Sequence, residues 1–166
     1  ETIKGPSEYI QPQATPEEVY NQIATDLVDA INVLPDNIPS TEVGRISKWA
    51  ASGLLARTYL FYNGVYNANL NANETVIDQT AVLAYLEDMI NNSGHDLFED
   101  YSQNFKLIGE FGVESVFEIS HGDILPWWDW DYVRGGNGNL AAQMQGPRVT
   151  NSDNWNRGWS FGVVSQ

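Results

Sequence analysis

Cysteine is absent from the 166 residues. That single absence removes disulfides, thiolate metal ligands and cysteine nucleophiles together. Basic residues are scarce as well: 8 Lys and Arg stand against 22 Asp and Glu, for a formal net charge of −14. With no run of Lys or Arg to reverse it locally, such a field repels phosphate backbones and anionic membrane surfaces. Nucleic acid is therefore excluded as the expected partner. No apolar run approaches the roughly 20 residues that a membrane-spanning helix needs. The two histidines, His95 and His121, fall in separate segments and match no metal-ligand spacing. Each reads as a loop hydrogen-bonder, and neither a metal nor a cofactor is expected.

What is present is enough for a folded core. A hydrophobic content of 42% is ordinary for a globular protein, and the length suits one domain or two very small ones. The opening "ETIKGPSEYIQPQ" reads as a strand or loop already under way. The expectation is a segment of a longer polypeptide, itself soluble.

Three helices can be read in the first hundred residues. The first spans about residues 16–34: Thr15 suits the cap, Pro16 the first helical position, and Glu17 and Glu18 the positive helix end. Its apolar stripe is Val19, Ile23, Leu27, Ile31 and Leu34. "LPDNIPST" then stops it. A second helix, about residues 47–63, sets Ala50, Leu54, Thr58 and Phe61 on one side and Trp49, Gly53, Ala56 and Leu60 on the next. This reading makes it the most buried helix, with Leu54 and Trp49 in the core. "NGVYNANLNANE" reads as a polar loop. Residues 67–78 offer oxygen ligands at alternate positions, but Ala72 replaces the turn glycine of a calcium loop and the early acidic ligands are missing. The third helix, about residues 79–92, carries Val82, Tyr85, Leu86, Met89 and Ile90, and Gly94 sits where a C-terminal cap belongs.

After Gly94 the pattern changes. "HDLFEDYSQNF" reads as loop or short helix and "ESVFEIS" as a short strand. From Gly122 onward Gly, Asn, Asp and Trp dominate, with almost no helical period. The chain thus divides into a lead-in (residues 1–14), a helical region (15–94) and a loop-rich region (95–166). Helices joined by short turns pack as antiparallel hairpins, and the roughly thirty-residue offset between helix starts fits tetratricopeptide-like stacking.

"TPEEVYNQIATDLVDAINVLP" followed by "GRISKWAASGLLARTYLFYNG" resembles the paired helices of the SusD/RagB family. The resemblance continues through "HDLFEDYSQNF" and "ESVFEIS" and ends in "GWSFGVVSQ", so it spans essentially the whole chain. Its most specific element is Gly44-Arg45 leading into Ala50, Leu54, Leu55, Ala56, Arg57, Tyr59 and Leu60. The resemblance implies a mainly α fold: tetratricopeptide-like hairpins in an α/α superhelix, followed by an irregular region. It also implies a central portion of a longer protein, lipid-anchored at the outer-membrane surface of Bacteroidetes. Such proteins capture glycans, or sometimes peptides, for a SusC-like TonB-dependent channel.

Five of the six tryptophans lie in the last forty residues, three of them in "LPWWDWDYVRGG". If that stretch is extended, Trp128, Trp130 and Tyr132 share one face, while Trp127, Asp129 and Asp131 share the other. Rings two residues apart on a strand lie about 7 Å apart, close to the pitch of adjacent sugars. The C–H faces of a pyranose lie well on such rings. The same rings could instead fill a core beneath a long loop. The resemblance favours ligand contact, because family glycan sites draw aromatics from loops after the "ESVFEI" segment. The candidate ligand set is Trp127, Trp128, Trp130, Tyr132, Asp129, Asp131, Arg134 and Trp155. Arg134 and Arg157 could serve sugar hydroxyls or pair with carboxylates, and Trp159 in "GWSFG" reads as framework packing.

Two rival functions use the same features. A glycosidase needs two carboxylates about 5–9 Å apart, and Asp129 and Asp131 could be joined by Glu118 or Asp123. Acidic residues are so abundant that such pairs carry little weight. A helical-repeat scaffold could use the Trp cluster to bind protein. Binding of glycan without cleavage, with no catalytic residue, is the leading expectation.

Overall fold

The computed structural model describes Gly5 and residues 12–120. The chain divides into a unit Glu1–Glu118 and a unit Ile119–Gln166, and the architecture below belongs to the first.

Helix α1 (Pro16–Val33) begins as its sequence requires. Thr15 is extended, its hydroxyl accepts from the Glu18 N–H at 3.2 Å, and the Glu18 carboxylate accepts from the Thr15 N–H at 2.8 Å. This reciprocal capping box satisfies two donors that a helix start otherwise leaves open. The backbone N–H of Thr15, and then its hydroxyl, hold the Glu18 carboxyl below its ordinary pKa. A carboxyl lowered on folding contributes stability above its unfolded pKa, and that stability is lost as pH falls through the folded value. Thr15→Ala should cost about 1 kcal/mol at neutral pH. The deficit against the parent should shrink in acid, where Glu18 is protonated in both proteins. Thermal melts of the two proteins across the acid range check this.

Helix α2 (Lys48–Tyr66) runs antiparallel to α1. Tyr20, near the start of α1, lies 5.1 Å from Tyr62 and 6.4 Å from Tyr66, ring centroid to ring centroid, near the end of α2. The face that α2 buries is Trp49, Ala51, Ser52, Leu55, Ala56, Tyr59 and Tyr62. This corrects the sequence reading by one residue, or about 100° of rotation: Leu54, Leu60 and Phe61 are exposed and Leu55 is fully buried. The helix is apolar on nearly every side, so periodicity alone cannot choose its inner face. Trp49 is buried as expected. The helix also runs three residues further than its predicted end, because Asn67 closes it in the left-handed conformation (φ 50°, ψ 41°), one that asparagine tolerates.

The segment read as polar loop holds a β-hairpin, another correction. Strands β1 (Leu70–Ala72) and β2 (Thr75–Ile77) pair antiparallel, with Leu70 opposite Ile77 and Ala72 opposite Thr75. Asn73 and Glu74, at φ 47° and 68°, make the doubly left-handed turn that matches strand twist. Leu70, Ala72 and Ile77 enter the core. The outer edge of β1 is covered by α1. Asn21 Oδ1 accepts from the Asn71 N–H at 2.9 Å, Thr25 Oγ1 from the Asn73 N–H at 3.3 Å, and Asp29 takes the Asn73 side chain at 3.1 Å. One polar stripe of α1, spaced four residues apart, thus stands in for a third strand.

Helix α3 (Gln79–Asn92) has the bounds the sequence predicts. Asp78 caps it by accepting from the Ala81 N–H at 2.9 Å, and Gly94 follows at φ 76°. Val82 is buried, Tyr85 and Leu86 pack on the core, and Ile90 is exposed. The start of α2 meets the end of α3 through Lys48 and Asp88 (3.6 Å), so these helices are antiparallel too. The described residues are mainly helical and tetratricopeptide-like. Beyond α3 come two short 3-10 turns, Tyr101–Phe105 and Leu107–Gly109. The predicted strand at "ESVFEIS" is not formed: residues 114–120 are turn and irregular backbone. Among the described residues no helix is long and apolar enough to cross a membrane.

Candidate functional site

The aromatic and polar residues that the sequence singles out, Trp127, Trp128, Asp129, Trp130, Asp131, Tyr132, Arg134 and Trp155, lie outside the described residues, as do His121, Asp123, Arg157 and Trp159. The segment that leads toward them is described.

Two glutamates organise that segment. Glu114 accepts from the Phe98 N–H at 2.7 Å and from the Asn104 amide at 2.8 Å, one oxygen for each. Glu118 Oε2 accepts from the Phe111 N–H and the Ser115 hydroxyl, both at 2.9 Å. Ionised carboxylates accepting backbone N–H groups make strong, short bonds, so these side chains fold the loop onto itself. Glu118, the candidate partner of a glycosidase pair, is engaged in this way. His95 joins the same segment through its Nδ1, 3.0 Å from the Val113 carbonyl. The adjacent Asp96 N–H donates to that carbonyl at 3.2 Å.

Against this loop lies the connection between α1 and α2. Lys48 is its anchor: its ammonium sits 3.1 Å from Asp36 and 4.1 Å from the centre of the Trp49 ring. The hydrogen bond to the Asp36 carboxylate, aided by the charges of Asp36 and Asp88, outweighs desolvation and holds the ammonium pKa above its ordinary value. The Trp49 indole N–H donates to the Asp36 carbonyl at 2.7 Å, and the Lys48 N–H to the Pro35 carbonyl at 3.1 Å. Gly44 adopts φ 94°, open to glycine without strain. The Phe111 ring packs 3.5 Å from where a Cβ on Gly44 would sit, and Phe111 is itself left-handed at φ 50°. Between connection and loop is a polar cleft of about 230 Å³, lined in part by Asp36, Arg45, Ser47, Trp49, His95 and Phe111. Sequence reasoning passed over it, taking Trp49 as core and His95 as a loop residue. Gly44-Arg45 stands out in the sequence only as the most specific element of the family resemblance.

A second, mostly apolar groove of about 610 Å³ runs along α1 and α2, with Leu27, Leu34, Leu54, Met89 and Phe117 among its walls. Among the described residues no group of three acidic or histidine side chains is placed to hold a metal ion.

Residues 4–60 match the SusD-like family described as starch-binding and associating with the outer membrane. A SusD-like protein of Bacteroides ovatus is 28% identical over 120 residues, which is 72% of this chain and 21% of that protein. Over these stretches the chain is similar to SusD-like proteins. The described fold agrees with solved structures of SusD-like proteins. Surface glycan-binding protein A of Bacteroides thetaiotaomicron, in complex with laminarihexaose, matches with a TM-score of 0.73 and 29% identity, over 90% of this chain and 30% of that one. A laminarin-binding SusD-like protein matches with a TM-score of 0.75 and 28% identity, over 95% of this chain and 34% of that one. The chain therefore spans about a fifth to a third of the SusD-like proteins it matches.

Proposed function

We propose that the protein to which this segment belongs captures glycans at the bacterial cell surface without cleaving them. The observation that carries this reading is the match to a glycan-binding relative in complex with laminarihexaose. A polymer of glucose is accordingly the first ligand class to test. In this reading the helical region, residues 15–94, is scaffold, and the loop-rich region, residues 95–166, supplies ligand contacts. Trp127, Trp128, Trp130, Tyr132 and Trp155 offer flat apolar faces, while Asp129, Asp131 and Arg134 serve hydroxyl groups. The protein is lipid-anchored to the outer membrane and passes its ligand to a SusC-like TonB-dependent channel.

Non-catalytic capture is favoured over hydrolysis by the use of Glu118. Its Oε2 already accepts two hydrogen bonds, which leaves that oxygen poorly placed to donate a proton to a leaving group. A glycan array on the full-length protein, followed by reducing-end analysis of every bound oligosaccharide, tests the proposal. Binding with the oligosaccharide recovered intact is expected. Reducing ends released by the parent protein but not by an Asp129→Asn variant would establish an enzyme instead.

A further inference from the structure

The start of α2 differs from the starts of α1 and α3 in a way that its chemistry must answer. Thr15 and Asp78 each accept from a first-turn N–H of the helix they cap, but the Ser47 side chain makes no such bond. Ser47 is only 7% exposed, and its hydroxyl has no hydrogen bond among the described residues. A buried hydroxyl without a partner is costly and rare. Ser47 is among the residues lining the polar cleft between the α1–α2 connection and the loop after α3. The first turn of α2 carries no acidic side chain, and helix geometry leaves the Trp49 and Ala50 N–H groups without intrahelical acceptors.

We propose that this cleft is a binding site for a single uncharged, polyhydroxylated ring, such as one sugar unit of a glycan. Its donors and acceptors are mixed, as hydroxyl groups require. Ser47 can donate or accept, and Arg45 and the helix start donate. His95 is fixed in one tautomer: its Nδ1 faces the Val113 carbonyl at 3.0 Å, a group that only accepts. Nδ1 therefore carries a proton, and Nε2 makes no hydrogen bond among the described residues. Phe111, held at a left-handed φ of 50°, adds an aromatic surface, and strained backbone of this kind gathers at ligand sites. Asp36 and Glu118 also line the cleft, which disfavours an anion. A volume of about 230 Å³ lies below the roughly 300–1,000 Å³ of sites for drug-sized ligands, so one ring is the expected occupant. The inference takes its ligand class from the glycan-capture reading. It does not depend on the tryptophans at 127–130.

The test uses the full-length protein labelled with ¹⁵N at tryptophan. The Trp49 indole N–H, bonded to the Asp36 carbonyl in the cleft wall, is the reporter. Glucose should move that signal saturably. Ser47→Ala should weaken the effect about tenfold, the scale of one lost hydrogen bond, while leaving the melting temperature unchanged or raised. A melting temperature lowered as by a lost helix cap would show that Ser47 is an ordinary cap and overturn the proposal. So would a response to inorganic phosphate but not to glucose. Laminarihexaose titrated in parallel separates this site from the broader reading. Hexaose binding with the Trp49 signal unmoved by glucose overturns the cleft site alone. A saturable glucose shift without hexaose binding supports the cleft and counts against glycan capture.

Discussion

Leu55→Ala lowers the stability of the protein by about 2–5 kcal/mol, the range for emptying a fully buried leucine site. Its neighbour Leu54→Ala costs no more than about 1 kcal/mol. The two side chains are chemically identical and adjacent in sequence, so the difference is geometric. Leu55 is wholly enclosed in the cluster with Ala24, Tyr59, Tyr62, Leu70 and Ile77, whereas Leu54 is half exposed beside the apolar groove. Ala24 is the fully buried residue that α1 contributes to that cluster. Paired denaturant melts measure the contrast. Equal losses from the two variants would mean that α2 is rotated from the orientation described here.

Why the sequence points to Leu54 and the structure to Leu55 is instructive. Where a helix has one apolar stripe, as α3 does around Val82 and Leu86, pattern and caps together placed the element correctly. In α2 the apolar residues nearly encircle the helix, and the side chains that decide the matter are Tyr59 and Tyr62. Tyrosine carries a polar end and reads as ambivalent, yet both rings are buried. The hairpin of β1 and β2 was hidden for another reason. Its strands are three residues each, too short to show alternation, and β1 depends on side chains of α1 nearly fifty residues away. That support is tertiary and leaves no local signature. The likeness to SusD-like proteins, in contrast, was legible from Gly44-Arg45 and the small and large residues after it. The cleft beside Gly44 was not, because it needs Phe111 and His95 folded back from beyond α3.

The second large effect concerns "WWDWDY". Removing one stacking ring should cost about 1–3 kcal/mol of binding, taking aromatic stacking on nucleobases as the scale. A dissociation constant near 1 mM corresponds to only about −4 kcal/mol, so a weak single-site interaction would vanish with one ring. If the stretch is extended, Trp128→Ala and Trp130→Ala behave alike and Trp127→Ala differs from both. Circular dichroism and thermal melts on each variant separate contact from packing. Lost binding with an unchanged melt marks a ring that touches ligand. If all three variants melt early and the folded fraction binds as before, the rings are core and the ligand contacts lie elsewhere.

Everything functional in this account depends on the full-length protein recognising a glycan at all. Calorimetric titration of laminarihexaose into that protein is the direct measurement. Saturable heat is expected, with the hexaose recovered intact and the heat lost in a Trp128→Ala or Trp130→Ala variant that melts normally. No heat with laminarihexaose, or with any other glycan in a broad panel, from a protein that melts cooperatively would contradict glycan capture.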